Sequence, residues 1–317
     1  MSQAAAPTAP KALSRGESVP PTSLVMLAAV LGAGIGAAVL VADWWSWPGG
    51  TWTTLGHSSP FVLWAALICA QTTLWTLAAA PVWSILQRNR AGWKGQRTEI
   101  VGSGLLLVAF VGAMVAITNL TGPVPSVFPH QHVKVWSLTG VALVLALGVA
   151  ATIWLIRGRL NELRSGEGDR EIELFIEFRS ELERLLGILG AIVGLAVLAT
   201  AALRQVVLEY AAQHPKVGAS FPPDYPILYG LILSLVVALA YLPTYLALLQ
   251  TGADLRDRAA PLRGPDETDF EAVIAKRKTL TELLGLDISA STSFRVGATI
   301  LSPLFAALVS LLPKLGG

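Results

Sequence analysis

An all-α, polytopic membrane protein is the fold class this sequence predicts, on three observations. First, seven stretches hold no Asp, Glu, Lys, Arg or His: Ser23–Ala42, Ser58–Gln87, Ile100–Pro129, Val135–Ile156, Leu185–Leu203, Tyr225–Ala253 and Val296–Pro313. About 20 apolar residues in a helix cross ~30 Å of hydrocarbon, and the first six stretches reach that length. Second, 53% of residues are hydrophobic and 14% charged, against about 45–50% and about 25% in soluble domains. Third, Lys and Arg collect in every second gap between the stretches. The expected architecture is three transmembrane hairpins making six spans, a C-terminal short seventh span or re-entrant segment, and a small helical cytoplasmic layer.

Residues 1–21, rich in Ala, Pro and Ser, read as a disordered cytoplasmic tail. Span one is too long for the 7–15-residue core of a signal peptide, and Leu40 would occupy the −3 position of a cut after Ala42, so it reads as an uncleaved anchor. Pro60 and Pro81 bracket span two. Glycines mark faces where helices approach closely in lipid: Gly32 and Gly36 in the first span, Gly102, Gly104 and Gly112 in the third, and Gly187, Gly190 and Gly194 in the fifth. The six-span bundle is assigned to residues 22–250, with a cytoplasmic helical extension at 158–184.

The positive-inside rule sets the orientation. Nineteen basic residues lie before span one, between spans two and three, between four and five, or after six; the remaining gaps hold only Lys134, Arg204 and Lys216. The N-terminus is therefore expected in the cytoplasm. Trp44, Trp45, Trp47, Trp52 and Trp136 fall near outer ends and Trp83, Trp93 and Trp154 near inner ends, as interfacial rings do. The Arg, Ala, Leu and Val usage suits a high-GC bacterial source, and hence an inner-membrane protein.

Residues 170–203 read as one helix running from water into lipid, because no Pro, and no Gly before Gly187, interrupts them. Phe175, Phe178, Leu182, Leu185 and Leu189 recur by three and four as a coiled-coil seam does. Five aligned apolar residues there require a partner, either the C-terminal segment or another subunit. Glu173, Glu177 and Glu181 form an acidic row on another face, a feature able to concentrate cations at a pore mouth. Residues 251–293 form the cytoplasmic amphipathic segment. Thr268 to Glu271 makes a capping box, Phe270, Val273, Ile274, Leu280 and Leu284 supply an apolar face, and the helix should stop near Gly285. Lys276, Arg277 and Lys278 are placed to meet the acidic row or anionic headgroups. In the last segment, 294–317, the apolar run Val296–Leu312 has 17 residues with Pro303 inside, at the lower limit for crossing.

Chemistry is sparse. No charge lies in mid-span, which disfavours proton relays and buried catalytic acids. No HExxH, GxxxxGK[ST] or GxGxxG motif occurs. The lone Cys69 allows no internal disulfide, and a net charge of +2 gives no reason to expect a nucleic-acid partner. No enzyme activity and no cofactor is expected. Pro243 and Pro303 each remove a backbone donor and free a carbonyl, so broken helices are candidate pathway elements. All four histidines, His57, His130, His132 and His214, fall in outer loops, with His130 and His132 on one side of an extended segment; their convergence would make an outer metal site or pH sensor.

The function expected first is an oligomeric channel with the fifth span near its axis. The alternatives are a scaffold that binds partner membrane subunits through its cytoplasmic helices, and a facilitator-type transporter of an uncharged or lipid-like substrate. In each case the partners are the lipid bilayer and either copies of the chain or another membrane subunit.

Overall fold

The computed structural model describes residues 22–42, 56–89, 126–163, 169–214, 221–222, 224–262, 270–287 and 290–309, with seven positions between Val101 and Gly112 that are all helical. The tail 1–21, Trp44, Trp45, Trp47, Trp52, most of the third expected span and Thr268 of the capping box lie outside them. Among the described residues there are helices and no strands. They are α1 (Thr22–Val41), α2 (Ser59–Asn89), α3 (Gln131–Leu163), α4 (Asp169–Gln213), α5 (Asp224–Ala259), α6 (Phe270–Leu283) and α7 (Ala290–Val309). The first five are long and apolar enough to cross a membrane, so the chain is a membrane-embedded helical protein.

Helix α4 is the organising element. Its 45 residues span about 68 Å at 1.5 Å per residue, roughly twice the hydrocarbon thickness. It packs against α2, α3, α5 and α7, and it contributes to both apolar clusters. One cluster, toward the arginine-rich end, joins its Phe175 to Val197 face to α3, α5 and α7. The other joins Ile192 to Val207 to Leu40, Phe61, Trp64, Phe128 and Leu138.

Helix α1 packs on α2 as an antiparallel hairpin. Thr76 Oγ1 donates to Ala28 O at 2.7 Å and Thr73 Oγ1 to Ala29 O at 3.4 Å. Small residues make this approach possible: a Cβ at Gly32 would stand 2.5 Å from Thr73 Cα, and one at Gly36 2.8 Å from Cys69 Cα. In lipid the hydrophobic effect does not join helices, so close packing and interhelical hydrogen bonds hold this pair.

The last segment carries no break of the kind a re-entrant hairpin would need. It is one continuous helix, α7, that lies along α4 and α5. A Cβ at Gly190 would stand 2.8 Å from Thr299 Cγ2, and one at Gly230 would stand 2.7 Å from Pro303 O. Pro81, Pro243 and Pro303 all lie inside unbroken helices, so the expectation of broken helices is corrected. Around Pro243, polar contacts run to the adjoining helix: Trp154 Nε1 donates to Ala240 O at 3.1 Å, and Thr244 Oγ1 to Ile153 O at 3.3 Å.

At the arginine-rich end, cations cap helices and tie them together, as helix dipoles favour. Arg258 Nη2 donates to Leu163 O at the end of α3, at 3.1 Å. Arg277 Nη2 reaches Asp257 Oδ1 at 2.6 Å and Arg277 Nη1 reaches Ala260 O at 2.8 Å, fastening α6 to the end of α5. Helix α6 stops as expected. Gly285 takes φ +57°, with Gly285 N bonding Glu282 O at 3.0 Å and Leu286 N bonding Thr281 O at 2.9 Å, a Schellman cap.

Candidate functional site

The seam on α4 finds its partner within its own chain. Phe175, Phe178, Leu182, Leu185 and Leu189 are all buried, in one cluster with Ile156 and Leu160 of α3, Leu248 and Leu255 of α5, and Leu284. Gly252 admits the contact: a Cβ there would stand 2.7 Å from Phe175 Cζ. The C-terminal turn closes over it through Arg179 Nη1, which donates to Leu284 O at 2.6 Å while Arg179 Nε holds Glu183 at 3.3 Å.

The acidic row is divided. Arg88, in the last turn of α2, reaches Glu177 at 3.0 Å and Glu181 at 2.9 Å, whereas Glu173 is exposed. Of the basic cluster of α6, Arg277 turns to Asp257 rather than to this row. The glycines divide as well: Gly190 faces Thr299 of α7 and a Cβ at Gly194 would stand 3.9 Å from Ser302 Oγ, while the site of a Cβ on Gly187 is open. Two of the three therefore serve contact within the chain.

The histidines do not assemble. His130 stands in the left-handed region at φ 53°, and His132 already lies in the first turn of α3. The extended geometry that would place both rings on one side is therefore absent. His214 stacks on Tyr210 with ring centroids 4.2 Å apart. Among the described residues no three of His, Cys, Asp or Glu are grouped to hold a metal ion.

At the end of the bundle away from the arginines, three polar ties replace the loop histidines as the notable features. Lys134 is buried, donates to Leu40 O at 3.0 Å and stands 5.9 Å from the Phe128 ring centroid. Arg204 Nε donates to Phe221 O at 3.1 Å, and Ser58 Oγ donates to Glu209 at 2.5 Å. Their sequence signal was their isolation: Lys134 and Arg204 are two of the three bases in the otherwise unbasic gaps.

Between α2, α3, α4 and α5 lies a cavity of about 110 Å³. Its lining runs from Trp64 and Leu203, near the end away from the arginines, to Ala142, Ala196, Leu233 and Ala240 deeper in the bundle. Among the described residues no charged side chain lines it. The polar groups on its wall are those of Gln71, Thr139, Thr200 and Tyr229, and Thr200 Oγ1 is already committed to Ala196 O at 2.9 Å. An apolar cavity of about 150 Å³ in a soluble protein stays dry and admits benzene. A chamber of this size and character fits a ring or an acyl-chain segment better than a hydrated ion.

Small side chains create the space. Ala142, Ala146 and Ala150 on α3 face Ala196 and Ala199 on α4. Comparison with protein-family models, curated proteins and solved structures finds no match to this chain.

Proposed function

We propose that this chain is an integral membrane protein that binds an uncharged, lipid-like molecule between α2, α3, α4 and α5 and facilitates its movement through the bilayer. The observation that carries this reading is the charge-free cavity walled by alanines and leucines. With the arginine-rich end placed in the cytoplasm by the positive-inside rule, the cavity runs from the outer side of an inner membrane past its middle. An acyl chain enters such a site without leaving a polar group unpaired, and Gln71 and Tyr229 stand on the wall to meet a hydroxyl or carbonyl at its end.

A conducting pore draws less support from the geometry. The α4 seam that would face its axis is filled by α3, α5 and Leu284, and the wall offers no ring of carbonyls or charges for ion selection. A scaffold role through the same seam meets the same objection, since a partner would have to displace the chain's own side chains.

Photolabelling tests the carrier reading. Purified protein in nanodiscs is irradiated with a fatty acid that bears a diazirine on its chain, and the labelled residues are mapped. Labels should concentrate on cavity positions of α3 and α4, and Ala142→Trp or Ala196→Trp should suppress them. Labelling spread evenly over lipid-facing residues and unchanged by those substitutions would overturn the reading. Single-channel conductance from the same preparation would favour the pore.

A further inference from the structure

A second recess lies between α3 and α5 near the arginine-rich end, separate from the apolar cavity. It encloses about 420 Å³ and is lined by Arg157, Asn161, Leu242, Pro243, Leu246, Ala247 and Gln250. Its composition changes along its length. Leu242 and Leu246 are exposed apolar side chains on the outer face of α5, whereas Arg157, Asn161 and Gln250 bring a cation and two amides to one end.

Depth is set by the sequence. Val135–Ile156 is 22 residues without a charge, about 33 Å of helix, which matches the hydrocarbon layer. Arg157 is the next residue, so its guanidinium reaches the headgroup layer. Trp154, whose ring centroid lies 5.8 Å from Arg157 Cζ, is an interfacial aromatic at the same level. Gln250 stands near the end of the uncharged stretch of α5 and so shares this level.

Among the described residues no carboxylate neutralises Arg157, while Arg159, two residues on, pairs with Glu162 at 3.3 Å, and Arg88, Arg179, Arg256, Arg258 and Arg277 all pair with carboxylates. An arginine fork held against a tryptophan face, beside two amides and above an apolar groove, has the complement of a phosphodiester joined to an acyl chain. Basic pockets between membrane helices at this depth take lipid headgroups in the same manner.

We propose that the α3–α5 recess is a phospholipid site, in which Arg157 binds the headgroup phosphate, Asn161 and Gln250 hydrogen-bond its oxygens, and Leu242, Pro243 and Leu246 pack along one acyl chain. The bound lipid is the structural neighbour of this face, and its phosphate supplies the anion that Arg157 lacks. The proposal stands on residues that do not line the apolar cavity and is independent of what that cavity carries.

Native mass spectrometry of the full chain, released from detergent micelles containing phosphatidylglycerol, reads the bound lipid directly. The wild type should retain one phosphatidylglycerol in preference to diacylglycerol, which lacks the phosphate, and inorganic phosphate should not displace it. Arg157→Gln should weaken retention about fivefold or more, and Arg159→Gln should leave it unchanged because that guanidinium already has its carboxylate. Leu246→Trp fills the groove from an exposed position and should also expel the lipid, which keeps the test decisive if Arg157→Gln misfolds. Equal retention of phosphatidylglycerol and diacylglycerol, equal losses from Arg157→Gln and Arg159→Gln, or displacement by free phosphate would overturn the proposal.

Discussion

Arg88 Nη2 stands 2.9 Å from Glu181 Oε1, and this pair ties the last turn of α2 to the point where α4 enters the bundle. Glu181 is buried, with 8% of its side chain exposed, while Arg88 keeps 37%. The Glu181 carboxylate is therefore paired with a cation that itself stays in contact with solvent.

Removing that cation should destabilise the fold. Breaking a fully buried pair costs about 3–5 kcal/mol, and the exposure of Arg88 lowers the expected loss for Arg88→Ala to about 1–2 kcal/mol. Adding Glu181→Leu should recover most of it, because no charge is then stranded. Thermal unfolding of the purified single and double variants checks this, and a single variant as stable as wild type would count against it.

Leu182→Ala should cost about 2–5 kcal/mol, the range for emptying a buried leucine site, since Leu182 is fully enclosed. Phe175→Asp should prevent folding altogether. A stable Phe175→Asp protein that merely loses a partner subunit would show that the seam serves assembly.

The hairpin of α1 and α2 is open to a direct distance test. In a Cys69→Ala background, Ala28→Cys with Thr76→Cys should form a disulfide on mild oxidation, because Thr76 Oγ1 lies 2.7 Å from Ala28 O. Gly32→Leu should abolish the cross-link, since even a Cβ there would collide with the Thr73 backbone. Persistence of the disulfide in that variant would contradict the packing.

How much of this was legible in the sequence depends on the range of the signal. Charge-free length is a local property, and it located α1 and α2 at both ends to within two residues and the start of α5 to within one, whereas α3, α4 and the end of α5 run on into charged sequence. The α4 seam and the Gly285 stop were visible for the same reason, being periodic or punctual. The sequence left the partner of the seam open between the C-terminal segment and another subunit, because Phe175 packs beside Gly252 and Leu286, 77 and 111 residues further along the chain. The cavity was hidden for a related reason: alanines on α3 become a wall only when they face those on α4. Proline was read too strongly, since contacts from Trp154 and Thr244 accompany an unbroken helix at Pro243.

Asp257, just past the uncharged stretch of α5, predicts a pH response. Partial burial would by itself raise its carboxyl, but hydrogen bonds and charge from Arg256 and Arg277 outweigh this and hold it below the ordinary 3.8. A folded value lowered in this way makes the contribution complete above the unfolded value and lost as pH falls from there through the folded one. Helix α6 should therefore resist protease at neutral pH and loosen in strong acid, and Asp257→Asn should loosen it at neutral pH. Identical cleavage of wild type and Asp257→Asn at neutral pH would remove this tie from the account.

An experimental density map of the purified protein in lipid nanodiscs tests the central claim most directly. The predicted result is α4 enclosed by α2, α3, α5 and α7 of its own chain, with elongated apolar density between Ala142, Ala196 and Leu233. A ring of subunits whose Phe175, Phe178 and Leu182 face a shared axis, with the α2–α5 cavity collapsed, would contradict it.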